Sequence, residues 1–511
     1  MKALILTALT VLAVASLASI GPPLPVSQLY ASHFENVLGT SMELKLSADS
    51  EATADRAEAA ALAEIERLNG ILSGYDPKSE FNRWAKTHGQ AVLISPELAE
   101  VLGLWDSWQK RSGGALSPAA EAIARVWKQA QGSGTMPAEA DLRAAASASR
   151  QPQWQLDANS GMATRLTNTP VLLNSFTKSY VVEHAAEAAL KTPGVAGVVV
   201  NIGGDLVVRG NLSDAVQVAD PRSDSENSDA MAVLNVRDRA VATSGSYRRG
   251  FEIGGRHYSH IVDPRTGRTA EQIISATVVS RNAVDAGALA TAFCILSPEE
   301  SRQLAASAGG IDYLLVRNDG VQIASAGWSV LKAPRLETAA LALPLAKAAA
   351  AASDAALWNP GYELTVNVEL PQPQGFGARR PYLAIWVEDK DRFPVRTLAV
   401  WFNKARWLNE LRAWYRDDRL RSMSEGTEIL NSVTSATRSP GKYTFKWDGK
   451  DNAGKPVKAG RYTILVEAAR EHGGYSLDRH QIDFNGQPSQ AQLPPDAELG
   501  VVSLDYHKAA R

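Results

Sequence analysis

Cysteine is nearly absent from this chain. Its 511 residues hold a single one, Cys294, so no disulfide can form within the chain. That residue lies in the apolar run Ala292-Phe-Cys-Ile-Leu296, where a lone thiol is expected to behave as a small buried hydrophobe. Net charge is nearly absent too. A formal balance of -2 excludes bulk attraction to nucleic acid. Histidines are few and scattered: His472 and His480 stand singly, without the spacing of a metal site. Apolar runs long enough to cross a membrane are missing after residue 20.

The one such run is at the start. Met1-Lys2 precedes an apolar stretch over residues 3–20, with small residues at Ser16-x-Ala18. This is the pattern of a secretory signal peptide over residues 1–18. The run is also just long enough to stay as a membrane anchor. No cysteine follows, which excludes a lipoprotein. Either way the body is expected outside the cytoplasm, in the periplasm.

The length allows two to four domains, and the 45% hydrophobic and 21% charged content is that of globular protein. Periodicity predicts a strand over 35–46 and a helix over 52–72, ended by Ser73-Gly-Tyr-Asp-Pro77. A second helix over 96–110 opens with Ser95 as N-cap and Pro96 in its first turn. A hairpin is expected over 154–173 and a helix over 178–190. A strand pair over 197–208 surrounds Asn201-Ile-Gly-Gly-Asp205. An Ala-rich helix over 282–296 and a closing hairpin over 311–324 follow. Residues 332–357 are mostly Ala and Leu and read as a linker between two independently folding halves. Beyond it short alternating strands appear over 362–370, 382–388, 398–402, 443–447 and 460–467. Their spacing predicts an all-β immunoglobulin-like sandwich over 358–487. That half carries no paired acids or nucleophile arrangement, and its Trp401, Trp407 and Trp414 read as core or interface.

Chemistry concentrates in Ala242-Thr-Ser-Gly-Ser-Tyr247 and Tyr258-Ser-His-Ile-Val-Asp-Pro-Arg-Thr-Gly267. Thr243, Ser244 and Gly245 place two hydroxyls and a flexible backbone at a strand-to-turn corner, with Arg248 and Arg249 beside them. Such a corner suits phosphate oxygens. His260 enters the Asp263-Pro-Arg-Thr-Gly267 turn, where it is either an acid/base or phosphate ligand or an ordinary surface histidine of a hairpin.

These two segments resemble the signature of the ApbE family, the periplasmic FAD:protein FMN transferases, whose members carry T-S-G-x-Y followed by S-H-I-x-D-P-x-T-G. The loop Ser112-Gly-Gly-Ala-Leu-Ser-Pro118 is similar to the family's S-G-G-A-F-D-P, and Gly203-Gly-Asp205 to its G-G-D. The resemblance covers about residues 35–331. It implies an α+β ApbE-like domain there, and the sandwich is similar to an uncharacterised periplasmic domain that often accompanies such proteins. It also implies transfer of FMN from FAD to a Thr or Ser hydroxyl of an exported partner carrying D-x-x-(S/T)-G-A-(S/T), with release of AMP and with Mg2+ bound. Membrane contact would come through that partner or an uncleaved N-terminus; nucleic acid is not a partner.

Residue by residue, the resemblance places His260 as catalytic group. It places Leu38, Tyr75, Ala115, Leu116, Ser117, Lys178, Thr243, Ser244, Gly245, His260 and Ile261 around FAD. Leu38, Ala115 and Leu116 serve equally as core, and Lys178 as a solvated helix-start cation. The family's metal ligands are a backbone carbonyl, an Asp and a Thr. Here the carbonyl falls on Ser175 and the threonine on Thr291, but Gly287 stands where the Asp belongs. Asp285 is the nearest acid, either as a displaced metal ligand or as a helix-start charge favoured by the macrodipole. Leu172 and Ser179 also replace an acid and a glycine of the pattern. Restoring the acid with Gly287→Asp is expected to strengthen the metal site. With these exchanges, two other functions stay open: a flavin-binding or scaffold protein without transfer activity, or an interaction protein acting through the sandwich.

Overall fold

The computed structural model describes residues 27–157, 159–223, 225–228, 230–246, 249–333, 357–372, 380–425, 434–435, 437–470 and 474–509. The N-terminal segment over 1–18 and most of the 332–357 stretch lie outside them, as do Tyr247 and Arg248. Among the described residues no helix is long and apolar enough to cross a membrane.

The first half is built on an eight-stranded antiparallel sheet. Its strands run in the order Gln28–Val37, Thr40–Ala48, Val195–Ile202, Asp205–Gly210, Ala240–Gly245, Ile273–Ser280, Asp312–Arg317 and Gln322–Ala324. The single strand expected over 35–46 is instead a hairpin that turns at residues 38–39. Alternation fixes its faces: Met42, Leu44, Leu46 and Ala48 are all buried. They lie in one core with the helices Glu51–Leu72, Thr177–Leu190 and Ala283–Ile295. Burying each large apolar side chain there contributes roughly 1.5–3 kcal/mol. The Ala283–Ile295 helix is buried almost all round, because its alanines let it lie close on two strands. A second hairpin, Ser213–Val218 with Ala232–Arg237, covers the opposite face through Leu234, Val236 and Val218.

The second half is an all-β sandwich with one helix on its outside. Gly441–Trp447, Tyr362–Leu370, Val502–Lys508 and Ser489–Leu493 form one sheet, and Thr434–Ser435, Pro394–Trp401, Tyr382–Glu388, Gly460–Ala469 and Tyr475–Phe484 the other. The strand Val502–Lys508 lies beyond 487, yet it pairs with Tyr362–Leu370 from Tyr362 to Val368. Trp358, Trp447, Phe484 and Tyr506 pack between the sheets with their rings tilted or edge-to-face. The helix Arg412–Glu425 packs on the outer face, where the buried Glu467 carboxylate accepts the Ala413 and Trp414 N–H groups at 2.9 and 2.8 Å. An anion at a helix start is favoured by the peptide dipoles. Trp401 and Trp414 are buried core residues.

Candidate active site

Three loops meet at residue 172. The Leu172 N–H donates to the Pro118 carbonyl at 2.9 Å. Its side chain fills the space over Gly74, where a Cβ would come within 2.4 Å of Leu172 Cδ2. An apolar residue at 172 therefore packs where the family pattern has an acid. Two residues on, Asn174 Nδ2 donates to the Tyr75 hydroxyl at 3.1 Å. Tyr75 is otherwise 77% exposed, leaving a ring face open to solvent. The turn after the first helix, the 112–118 loop and the start of the Thr177–Leu190 helix thus share one rim.

Ser175 sits in the left-handed region at φ 62°. The helix that follows has no side-chain cap, and helix-start N–H groups of this kind attract anions. Lys178 lies in its first turn. Its Nζ donates to the Gly203 carbonyl at 3.1 Å and stands 3.4 Å from Asp205 Oδ1. Ser179 Oγ donates to Asp205 Oδ2 at 2.6 Å. Burial pushes the Asp205 carboxyl pKa up, while Lys178 and Ser179 pull it down.

Gly287 faces this pair. A Cβ at 287 would lie 2.2 Å from Ser179 Oγ and 3.1 Å from Phe176 Cα. The two departures from the family pattern therefore touch: the hydroxyl of Ser179 fills the space of a side chain at 287. One turn further along the helix, Thr291 Oγ1 is 3.3 Å from the Gly287 carbonyl and 3.2 Å from Ser244 Oγ. Asp205 pairs directly with Ala242, so Ser244 follows two residues along on the same face. Asp205, Ser179, Gly287, Thr291 and Ser244 form one continuous line.

Asp285 is not part of that line. It lies six residues from Thr291, on another side of the helix, and its carboxylate pairs with Arg111 Nη1 at 3.7 Å. Burial raises its pKa and Arg111 opposes the shift. Among the described residues no three His, Cys, Asp or Glu side chains converge as a metal site.

The flavin-side residues divide. Ala115, Leu116 and Ser117 are buried; Ser117 Oγ donates to the Ser149 carbonyl at 2.9 Å and so ties the loop down. Thr243 points to the sheet face opposite Ser244 and contacts Thr277 Oγ1 at 3.0 Å. Gly245 ends its strand. Ile261 packs in the core, as Leu38 does in part, the latter with φ 50° at its hairpin tip. His260 Nδ1 lies 3.0 Å from the Arg249 carbonyl. Facing a carbonyl, Nδ1 must carry the proton, which leaves the Nε2 lone pair free. Desolvation by the surrounding chain pushes the His260 pKa below 6.5; the hydrogen bond to the Arg249 carbonyl opposes the shift, and the nearby Arg249 and His257 charges add to it.

Two neighbours escaped the sequence reading. Asp205 was quoted only within its Gly-Gly-Asp motif. His257 Nδ1 sits 2.6 Å from Glu252, and its Nε2 3.2 Å from the Ser246 carbonyl. Pairing the strands Gly250–Ile253 and Arg256–Ser259 around Gly254-Gly255 would have placed Glu252 opposite His257.

Residues 38–315, more than half the chain, match the model of the ApbE family. The chain belongs to the ApbE family. Residues 363–501 match the family described as predicted periplasmic protein (DUF2271). FAD:protein FMN transferase of Rhodobacter capsulatus is 29% identical over 287 residues, 56% of this chain and 55% of that protein. The same-named protein of Klebsiella pneumoniae is 26% identical over 55% of this chain and 82% of its own length. That of Escherichia coli is 31% identical over 28% and 42%. The chain thus spans about half the length of the Rhodobacter relative and less of the Escherichia one. Among solved ApbE structures, the protein of Thermotoga maritima superposes with a TM-score of 0.53 at 23% identity, covering 60% of this chain and 100% of its own. The flavinyl transferase ApbE of Pseudomonas stutzeri, in its apo form, gives 0.50 at 22%, covering 60% and 97%. At such identities the likeness is one of fold.

Proposed function

We propose that this chain is an exported FAD:protein FMN transferase of the periplasm. It would move FMN from FAD to a Thr or Ser hydroxyl of a partner carrying D-x-x-(S/T)-G-A-(S/T), with membrane contact through that partner or an uncleaved N-terminus. One observation carries the reading. An exposed aromatic ring, Tyr75, stands on the same rim as an uncapped helix start bearing Lys178, beside the Ser244–Thr291 hydroxyl pair. A flat ring system stacked on Tyr75 would lead its phosphates to that helix start.

The step itself is a displacement at phosphorus. The acceptor hydroxyl oxygen forms a bond to the FMN phosphorus, and the bond to the AMP oxygen breaks. AMP leaves with its phosphate, and the hydroxyl proton passes to His260 Nε2. A lowered pKa keeps that nitrogen free of its proton near neutral pH. Leu38 and Ile261 supply apolar contact to the flavin side. Ala115, Leu116, Ser117, Thr243 and Gly245 shape the walls around it.

A bound Mg2+ would offset negative charge on the pyrophosphate. Such an ion takes one or two carboxylates, with water and phosphate oxygens completing its shell. Thr291, Ser244, the Ser175 carbonyl and one carboxylate meet that demand. We place Asp205 ahead of Asp285 as the carboxylate, because Asp205 joins the line to Thr291 through Ser179 and Asp285 does not; each of the two has a cation beside it, Lys178 and Arg111.

The test is AMP release from FAD, together with in-gel flavin fluorescence of an exported acceptor, across a magnesium titration. AMP and a fluorescent acceptor band are expected. The absence of a converging acid cluster among the described residues favours a second reading, a flavin-binding protein without transfer. A yellow protein that releases no AMP at any magnesium concentration would establish it.

A further inference from the structure

Among the described residues the sandwich meets the first half along Gln28–Val37 and at Glu226 and Asn227, and the first of these contacts leads into the site. Gln28–Val37 is the edge strand of the eight-stranded sheet. Edge strands expose unpaired backbone groups that must be covered. Here residues 403–404 of the sandwich cover them. Ser32 and Lys404 form an antiparallel bridge, and the His33 N–H donates to the Asn403 carbonyl at 2.5 Å. Lys404 Nζ reaches Glu58 Oε1 at 2.6 Å, and Ser32 Oγ reaches the other oxygen of that carboxylate at 2.6 Å.

The contact continues to the hairpin tip. Thr437 Oγ1, buried, donates to Glu35 Oε1 at 2.7 Å. Arg380 pairs with the same carboxylate and lies 3.5 Å from Asn36 Oδ1. The tip they hold is strained: Asn36 and Leu38 have φ 59° and 50°, followed by Gly39 at 78°. Non-glycine residues keep such angles only where surrounding contacts fix them. Past the tip, the Ser41 carbonyl accepts the Gly203 N–H at 3.1 Å, and a Cβ at Gly203 would meet Thr40 Cγ2 at 2.6 Å. The Gly203 carbonyl is the acceptor that orients Lys178. Contacts therefore run without a gap from Arg380 and Thr437 to Lys178.

We propose that the sandwich is a positioning element for the flavin site, in which Arg380 and Thr437 hold the strained 36–39 turn that presents Leu38 and supports Gly203 against Lys178. Its ligand arm rests on the flavin reading above; its structural arm does not. A tether alone would not need contacts at the turn. The second attachment shows the difference: it uses Asn227, which pairs with both backbone groups of Lys446, and Glu226, which meets the Thr444 carbonyl and Arg438, rather than Glu35 or Asn36.

The experiment compares the full chain with Arg380→Ala/Thr437→Val, with Arg380→Ala alone, and with Asn227→Ala. Hydrogen–deuterium exchange is followed in the peptide over 35–41, and FAD affinity by quenching of flavin fluorescence. Exchange in that peptide should quicken about tenfold in the double variant, as expected on losing a charge-assisted hydrogen bond. It should quicken by less in Arg380→Ala and stay unchanged in Asn227→Ala. FAD should bind the double variant several-fold more weakly, while AMP release at saturating FAD holds. Unchanged exchange at 35–41 in both Arg380 variants would overturn the proposal, whether or not flavin binds. Loss of AMP release at saturating FAD with unaltered affinity would overturn it as well. Failure of the wild type to bind FAD would sink the transferase reading and leave the exchange result to decide this one.

Discussion

Gly287→Asp restores the acid that the family pattern has, and it should harm this protein. A Cβ at 287 would lie 2.2 Å from Ser179 Oγ and 3.1 Å from both Ser179 Cβ and Phe176 Cα. Phe176 Cα is backbone and cannot swing aside. Ser179 could turn only by giving up its 2.6 Å bond to Asp205. Overpacking of this kind costs about 1–3 kcal/mol. An Asp205 carboxylate left without its hydroxyl partner adds about 1–3 kcal/mol, and a new anion beside it adds repulsion. The single variant should therefore lose about 2–6 kcal/mol of stability. These contacts oppose the expectation drawn from sequence, that this change alone strengthens the metal site.

The pair Gly287→Asp/Ser179→Gly should behave differently. Removing the Ser179 side chain clears the contacts to Oγ and Cβ and leaves Phe176 Cα at 3.1 Å. Ser179→Gly alone should cost about 0.5–1 kcal/mol from helix propensity, besides the lost hydrogen bond. Non-additivity of about 2 kcal/mol, in the favourable direction, is expected across the cycle. Urea denaturation of the four proteins measures it. Gly287→Asp as stable as wild type, or a cycle additive within about 0.5 kcal/mol, would refute the reasoning.

Three further outcomes follow from the same contacts. His260→Ala should slow flavin transfer by about 10²–10⁴ while FAD binding holds; in the wild type the rate should be flat above pH 6.5 and fall only below the lowered His260 pKa, and a rate that rises on acidification would remove it as the base. Asp205→Asn should weaken Mn2+ binding, followed by electron paramagnetic resonance, far more than Asp285→Ala; equal effects would return the metal to Asp285. His33 is buried at the joint between the halves with its Nδ1 unpartnered, and burial first, then Lys45 and Arg438, lower its pKa to about 4. The unfolded chain binds that proton near 6.5, so the stability tied to neutral His33 is complete above pH 6.5. It is lost as pH falls from there to about 4, by up to about 3 kcal/mol. His33→Phe should flatten urea midpoints across that window, and an unchanged pH slope would exclude His33.

Much of the fold was legible because its elements carry their own periodicity. The helix over 51–72 and the strand Tyr362–Leu370 match their expected spans within a residue. The helices Ala120–Ser133 and Glu139–Ser149 were missed. Their start residues, Ala119 and Ala138, offer no capping side chain to read, and in Glu139–Ser149 a run of Ala and Ser blurs the apolar stripe. The strand over 35–46 was misread for a different reason. Its turn uses Asn36 and Leu38 in left-handed conformation, which a sequence seldom announces. The end of the sandwich was placed too early because Val502–Lys508 joins its sheet from far along the chain.

The site was legible as a set of segments but not as a set of distances. Aligning residues to a pattern treats each position alone, and so Gly287 read as a missing ligand and Ser179 as an unrelated exchange. In three dimensions the two are one change, since Ser179 Oγ stands where a side chain at 287 would be. The same hydroxyl bonds Asp205, an acid that sequence order places 82 positions from Gly287. Asp285, only two positions away, is directed to Arg111 by the helix turn. Nearness along a helix is a poor guide to shared function when the separation is two residues, because the side chains then diverge. A strand partner is a better one: Asp205 opposite Ala242, with Ser244 two residues on, puts the carboxylate on the face that Thr291 also meets. That is why the search for the displaced acid belongs across the sheet and not along the helix.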